Sequence, residues 1–249
     1  MKKAVIIPAR MQATRLPGKP LALIGTKPLI LRVYEQAMKA TGIDEVVVAT
    51  DSAEILDVVK TAGGQAVLTS GDHVSGSDRV AEAAHIIGAE LVINVQGDEP
   101  FIDPADITRL VECLEKNPKS MVTMDYGLQS LEQVQDVNVV KVVKSDAGQA
   151  LYFSHSPIPY AQHPEDVLGQ ARGHIGIYGY HRKVLEQLTA APVALLEKLE
   201  RLEQLRAMAQ GIPIWVLEAA QAPIGIDTPE DLEAARKRLL ELGDEAFPG

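Results

Sequence analysis

The chain predicts an α/β fold, a mostly parallel central sheet flanked by helices, into which a small antiparallel, strand-rich flap is inserted. Two observations carry the parallel part. Residues 4–7, 46–49 and 91–95 are short apolar, largely β-branched runs without polar alternation, as strands covered on both faces require. Between them, residues 28–40, 53–62 and 77–88 have helical length and helical start signals, so strand and helix alternate. A third observation marks the insertion. After a helix over 104–116 come strand patterns at 121–126, 139–143, 150–154 and 174–180, which place the flap at roughly residues 120–182. The chain then returns through a Leu-rich helix around 194–209, a strand at 213–217 and a last helix at 229–242. Its length suits a single domain, 1–249, with the flap inside it.

Charge limits the partners. Lys and Arg total 24 against 34 Asp and Glu, a net charge of −10, so no general positive field exists to hold a nucleic acid. An anionic ligand must instead be held by cations concentrated in one place. Cys113 is the only cysteine, which excludes an internal disulfide and a thiolate-rich zinc site and fits a reducing cytoplasm. Lys2 and Lys3 precede only four apolar residues before Pro8, too few for a signal peptide, and no apolar run approaches spanning length. A soluble, cytoplasmic protein without membrane insertion is expected.

The concentrated cations follow the first strand, in Pro8-Ala9-Arg10-Met11-Gln12-Ala13-Thr14-Arg15-Leu16-Pro17-Gly18-Lys19-Pro20. Open α/β sheets bind ligands at the carboxyl ends of their strands. Arg10, Arg15 and Lys19 offer the forked donors and point charge that phosphates take, and Gly18 permits close backbone approach. The loop is not a Walker loop: Ala13 stands at its first Gly and Pro20 at its Ser or Thr. A solvated basic turn is the competing reading.

Two carboxylates stand near apolar segments without being required as caps. Asp98 follows the strand at 91–95, but the next helix already has Asp103 as its cap, Pro104 in its first position and Asp106 to close a capping box. Asp227 precedes Thr228, which can cap the last helix with Asp231 as its reciprocal partner. Both are therefore spare, and together they could hold a hard cation such as Mg2+, which prefers carboxylate and phosphate oxygens. Tidying of a turn is the alternative for each. Asp51 stands three residues before Glu54 and reads as a capping box rather than as a ligand.

The blocks Ile7-Pro8-Ala9-Arg10, Arg15-Leu16-Pro17-Gly18-Lys19-Pro20, Ala49-Thr50-Asp51, Ser75-Gly76-Ser77-Asp78-Arg79, Asn94-Val95-Gln96-Gly97-Asp98-Glu99-Pro100, Gly176-Ile177-Tyr178-Gly179-Tyr180 and Leu202-Glu203-Gln204-Leu205-Arg206 occur in this order. They resemble the 3-deoxy-manno-octulosonate (Kdo) cytidylyltransferase family nearly end to end. The basic loop alone is shared with CMP-sialate synthetases and other nucleotidyltransferases. The resemblance implies a Rossmann-like nucleotidyltransferase fold that joins CMP from CTP to an acidic octulosonate sugar for lipopolysaccharide biosynthesis. It places Ala9, Arg10, Arg15 and Lys19 on CTP, with Ser75, Gly76 and Arg79 near the cytidine. Asp98 and Asp227 become ligands of a Mg2+ cofactor, and Arg15, Lys19, Asp98 and Asp227 carry the chemistry. Gln96, His155, His174, Tyr178, Glu203 and Gln204 face the sugar, and a homodimer is implied, formed largely through the flap.

Some of these positions have bland alternatives. On a helical wheel Glu203 falls at the edge of an apolar stripe between Leu196 and Leu199, where an ion pair with Arg206 would account for it. His174 and Tyr178 share a strand face by period two, as a core His and Tyr also would. The loop 155–172, with Pro157, Pro159 and Pro164, reads equally as a substrate cover and as a plain connection. His155 stands where relatives usually carry Arg. A smaller, near-neutral side chain there could admit an altered sugar tail such as that of 8-amino-Kdo, or could merely anchor the loop. Rival functions are a cytidylyltransferase for a sialic acid and, in another class, a noncatalytic nucleotide-binding protein. The paired aspartates count against the latter.

Overall fold

A computed structural model of the chain describes residues 1–12, 15–73 and 75–243. Ala13 and Thr14, in the middle of the basic loop, lie outside the described residues. In chain order the elements are β1 (Lys3–Ala9), β2 (Leu23–Ile24), β3 (Lys27–Pro28), α1 (Leu29–Met38), β4 (Glu45–Thr50), α2 (Ala53–Thr61), β5 (Ala66–Leu68), α3 (Gly76–Ile87), β6 (Leu91–Asn94), α4 (Pro104–Lys116), β7 (Met121–Gly127), α5 (Leu131–Gln135), β8 (Lys141–Lys144), β9 (Ala150–Ser154), β10 (Arg172–His181), α6 (Arg182–Ala190), α7 (Leu195–Glu200), α8 (Gln204–Ala209), β11 (Ile214–Glu218) and α9 (Pro229–Leu242). They fall into two compact units, Met1–Glu112 with Pro223–Gly249, and Cys113–Ala222.

In the first unit the strands run in the order β6, β1, β4, β5, and every pair is parallel. The registers Ile6↔Val47 and Ile6↔Asn94 set the apolar runs side by side. Val5, Ile6, Ile7, Val48 and Ile93 are fully buried, which explains why these strands lack polar alternation. Helices cover the sheet with apolar faces: Leu29, Ile30, Val33 and Ala37 of α1 and Val80, Ala83 and Ala84 of α3 are all buried. Each such Leu, Ile or Val contributes on the order of 1.5–3 kcal/mol by leaving water. Because the strands are parallel, the loops after β1, β4, β5 and β6 all leave from one edge.

The second unit is mixed. β7 pairs antiparallel with β10 and parallel with β11, while β8 pairs antiparallel with β10 and with β9. The strand-rich flap expected at 120–182 lies within this unit. A register shift falls in β10 between Ile175 and Tyr178. The buried Asp125 of β7 receives a side chain from β8 and one from β10, and β11 joins the cluster through Glu218. Asp125 Oδ1 accepts from Arg172 Nε and Nη2 at 3.1 and 2.7 Å. Lys144 Nζ stands 2.7 Å from Oδ2 as an ion pair rather than an aligned hydrogen bond, and Arg172 also pairs with Glu218 at 2.8 Å.

The Leu-rich helix expected over 194–209 is broken. It forms two short helices, α7 and α8, with Arg201 between them at φ 56. Two facts account for the break. Leu195, Leu196 and Leu199 are exposed, so the stripe supplies no burial to hold one long helix. The buried residue of α7 is instead Glu197, which Arg206 grips through Nε at 2.8 Å and through Nη2. On an unbroken helix residues nine apart point to opposite faces, so the pair forms only because the chain turns at Arg201. Among the described residues no helix is long and apolar enough to cross a membrane.

Candidate active site

At the strand-end edge of the first unit lies a cleft of about 370 Å³, within the range of small-molecule sites. It gathers Ala9, Arg10, Arg15, Lys19, Ser75, Gly76, Arg79, Gln96, Asp98 and Asp227. Every residue expected to bind nucleotide or metal is therefore in one place. Pro8, Gln12, Pro20, His73 and Gly97 also line it, and no sequence pattern had singled them out except as neighbours of motif residues.

Two glycines shape the walls for different reasons. Gly18 sits at φ 70, capping a short 3-10 turn over Lys19–Leu21. A Cβ there would approach only Met11 Cε, at 3.9 Å, so the expected close approach is not what requires this glycine; its left-handed backbone is. Gly97 is the close-approach glycine, since a Cβ would lie 2.9 Å from the carbonyl oxygen of Pro8. This brings the loop after β6 against the end of β1 and carries Asp98 toward Lys19.

Lys19 joins the two spare carboxylates. Its Nζ donates to Asp98 Oδ2 at 2.6 Å and to Asp227 Oδ1 at 3.0 Å, and Arg15 Nη2 pairs with Asp227 Oδ2 at 2.9 Å. Asp98 and Asp227 thus reach a single cationic centre from residues far apart in the chain, and their hard oxygens suit a divalent cation. Burial opposes the charge on Lys19, but Asp98 and then Asp227 outweigh it and raise its pKa. Neighbouring Glu99 behaves differently. Burial first, then repulsion from Asp98 and Asp227 against the pull of Lys19, pushes its carboxyl up to about 8, so it adds little charge at neutral pH. Arg10 is exposed and makes no hydrogen bond or ion pair among the described residues.

Other residues start the helices beside Asp98 and Asp227. Thr228 caps α9 in a reciprocal box with Asp231, and Asp103 Oδ1 accepts from Ala105 N at 2.8 Å at the start of α4. Asp51 is a correction. Ser52, not Asp51, caps α2, accepting from Ile55 N at 3.3 Å. Asp51 Oδ2 instead takes Arg79 Nη2 at 2.8 Å, while Thr69 Oγ1 takes Nη1 at 2.5 Å. Arg79 is 4% exposed, and a buried guanidinium requires such partners. Ser75 caps α3 in a box with Asp78, so its hydroxyl is part of the helix start that presents Gly76 to the cleft. His73 Nε2 lies 2.5 Å from Glu82 Oε2, which also takes Ser70 N and is held below the usual carboxylate range mainly by the His73 bond.

His174, Tyr178, Glu203 and Gln204 belong to the second unit and form a cluster there. His174 and Tyr178 share a face as the alternation predicted, with ring centroids 5.5 Å apart, and Phe153 meets His174 edge-on at 4.9 Å. Burial pushes the His174 imidazole down to about 3, so it is neutral at pH 7. Thr123 lies 2.7 Å from Ile177 O and 2.9 Å from His174 Nε2. Its single hydroxyl proton goes to a carbonyl, so Nε2 carries the imidazole proton and Nδ1 is left as an acceptor. Burial, with Tyr180 and Glu203 nearby, raises the Tyr178 phenol well above its ordinary value, and its hydroxyl donates to Gln204 Oε1 at 3.1 Å. Gln204 is 2% exposed, and its Nε2 has no hydrogen-bond partner among the described residues. Glu203 is exposed, at the start of α8.

His155 is tethered. Its Nδ1 donates to Val137 O at 2.5 Å, its backbone N–H to Glu200 Oε2 at 2.9 Å, and its carbonyl takes Lys141 Nζ at 2.7 Å. Lys141, fully buried, also binds the carbonyls of Asp136 and Val139, and burial lowers its pKa. The Pro-rich loop is thus pinned at its start.

A parallel α/β sheet whose strand-end loops gather phosphate-type cations around a carboxylate pair defines a nucleotidyltransferase. The family model described as cytidylyltransferase matches residues 4–216. A 3-deoxy-manno-octulosonate cytidylyltransferase of Trichlorobacter lovleyi is 43% identical over 97% of this chain and 100% of that protein. One from Escherichia coli is 43% identical over 99% and 100%. Among solved structures, CMP:2-keto-3-deoxy-manno-octonic acid synthetase complexed with CTP superposes at a TM-score of 0.92, with 41% identity, covering 97% of this chain and 99% of that one. The chain belongs to the 3-deoxy-manno-octulosonate cytidylyltransferase family.

Proposed function

We propose that this chain transfers CMP from CTP to the anomeric hydroxyl of 3-deoxy-D-manno-octulosonate, releasing pyrophosphate, in the cytoplasm and for lipopolysaccharide biosynthesis. The observation that carries the reading is one cleft lined by Arg10, Arg15, Lys19 and Arg79 together with the Asp98–Asp227 pair in an otherwise acidic protein. Relatives bearing the Kdo name favour this sugar over a sialic acid and favour catalysis over mere nucleotide binding.

The anomeric oxygen forms a bond to the α-phosphorus of CTP as the bond to the β-phosphate oxygen breaks. The hydroxyl proton passes to solvent water, and the electron pair of the broken bond leaves on pyrophosphate. Arg10, Arg15 and Lys19 bind the phosphates, and Arg15 and Lys19 stabilise the charge that develops on the leaving group. Asp98 and Asp227 would hold Mg2+, which when bound neutralises the α-phosphate and acidifies the attacking hydroxyl. Arg79, fixed by Asp51 and Thr69, holds the cytidine end together with the start of α3. No covalent enzyme intermediate is required.

On the sugar side, neutral His174 offers an acceptor at Nδ1 and Gln204 a spare buried donor, complementary to hydroxyls and a carboxylate. Pyrophosphate release with each nucleotide paired with Kdo, 8-amino-Kdo and a sialic acid tests the assignment. CTP with Kdo is expected to give the highest kcat/KM; equal turnover with UTP or with a sialic acid would overturn it. Gln204→Glu keeps the acceptor for Tyr178 and replaces the spare donor by an oxygen. It is expected to raise the sugar KM about tenfold or more, with the CTP KM unchanged. Asp51→Ala removes the charged partner of Arg79 and is expected to raise the CTP KM about tenfold while the sugar KM stays within twofold; a reversed split would move Arg79 away from the nucleotide.

The protein is inferred to act as a homodimer. Exposed Leu151, Val193, Leu195, Leu196 and Leu199, all in the second unit, are the surface a second copy would cover. Light scattering should then give twice the 26.9 kDa chain mass.

A further inference from the structure

We propose that Lys19 and Arg15 are resident counter-ions of the Asp98–Asp227 pair, so that the divalent cation enters only with the nucleoside triphosphate. The inference rests on the reading of these aspartates as metal carboxylates and adds an order of assembly to it. Lys19 Nζ holds one oxygen of each aspartate, and Arg15 holds the second oxygen of Asp227. Two positive charges therefore already balance two carboxylates. Lys19 is only 17% exposed, so it cannot give up both partners to water cheaply.

A bare divalent cation must displace that ammonium, and among the described residues lining the cleft Asp98 and Asp227 are the only carboxylates. A triphosphate supplies another anion. It carries several negative charges and many acceptor oxygens, which a lysine point charge and an arginine fork can take in place of the carboxylates. When Lys19 and Arg15 turn to the phosphates, the carboxylates lose their partners at the moment a cation-binding phosphate oxygen arrives. Lys19 is thus a switch as well as a phosphate ligand. By linkage, metal and nucleotide must each tighten the other by the same factor.

The test is Mn2+ binding to the intact protein, read by the electron paramagnetic resonance of free Mn2+, with and without α,β-methylene-CTP. The wild-type protein is expected to bind Mn2+ weakly alone and at least about tenfold more tightly in the ternary complex, after correction for Mn2+ held by the nucleotide. Lys19→Met, which keeps the apolar stem and removes the charge, is expected to bind Mn2+ without nucleotide about tenfold more tightly than wild type, whereas Lys19→Arg should not. The gain should vanish in Lys19→Met/Asp98→Asn. Equal Mn2+ affinity of nucleotide-free wild type and Lys19→Met, with ternary binding intact, would overturn the switch and leave the metal site standing. Absence of ternary binding, or a Lys19→Met gain that survives Asp98→Asn, would overturn the metal assignment itself and the switch with it.

Discussion

Asp98→Asn and Asp227→Asn are each expected to lower kcat by on the order of a hundredfold or more, about 2.7 kcal/mol of transition-state stabilisation, while both variants fold normally. The two halves of this expectation have separate grounds. Folding should survive because neither carboxylate is a cap: Thr228 and Asp231 close the start of α9, and Asp103 serves α4. The backbone link that joins the two segments, Ile226 N to Asp98 O at 2.9 Å, does not involve either side chain. Asn is isosteric and keeps one oxygen, so the cleft keeps its shape. Turnover should fall because each change removes a negative charge from the pair that would hold the cation, and leaves Lys19 with one charged partner instead of two. Steady-state kinetics at saturating CTP and sugar, with thermal melts as the folding control, decide the matter. Near-normal Mg2+-dependent kcat in either variant would remove that residue from the metal set.

The sequence makes these two aspartates visible by elimination, since local capping patterns assign Asp103, Asp106 and Asp231 to helix starts and leave Asp98 and Asp227 over. The same local logic misread Asp51. Its spacing to Glu54 imitates a capping box, yet Ser52 takes the cap and Asp51 turns to Arg79, 28 residues away in sequence. Nothing in the spacing of residues near Asp51 carries that pairing, because it depends on β4 and α3 lying side by side. The parallel strands were legible for a firmer reason: burial on both faces forces an unbroken apolar run, and no other element of that length needs one. The helix at 194–209 failed on the same criterion applied too far. Its leucines repeat as a buried stripe would, but Leu195, Leu196 and Leu199 face solvent, and the charged pair Glu197–Arg206 closes across the turn at Arg201. The sequence marks Lys19 as a phosphate ligand and Asp98 and Asp227 as metal ligands of one site, but gives no sign that Lys19 pairs directly with both. Asp227 is 208 residues from Lys19, and only the fold brings them to 3.0 Å.

Asp125→Ala is expected to destabilise the protein by about 3–5 kcal/mol, the largest effect on stability of any single change considered. Asp125 is fully buried, and its removal would leave Lys144 and the Arg172 fork without their shared anion at the meeting of β7, β8, β10 and β11. Glu218, 67% exposed, remains for Arg172 but is too well solvated to replace it. The loss measures the cost of stranded charges rather than the worth of the ion pairs, and a second variant separates the two. Replacing the cluster together, as Asp125→Leu with Arg172→Met and Lys144→Met, removes the charges along with their partner and should recover most of the lost stability. Urea unfolding of the wild type and both variants gives the comparison. If Asp125→Ala costs less than about 1 kcal/mol, the cluster behaves as a solvated surface network and does not hold the four strands together.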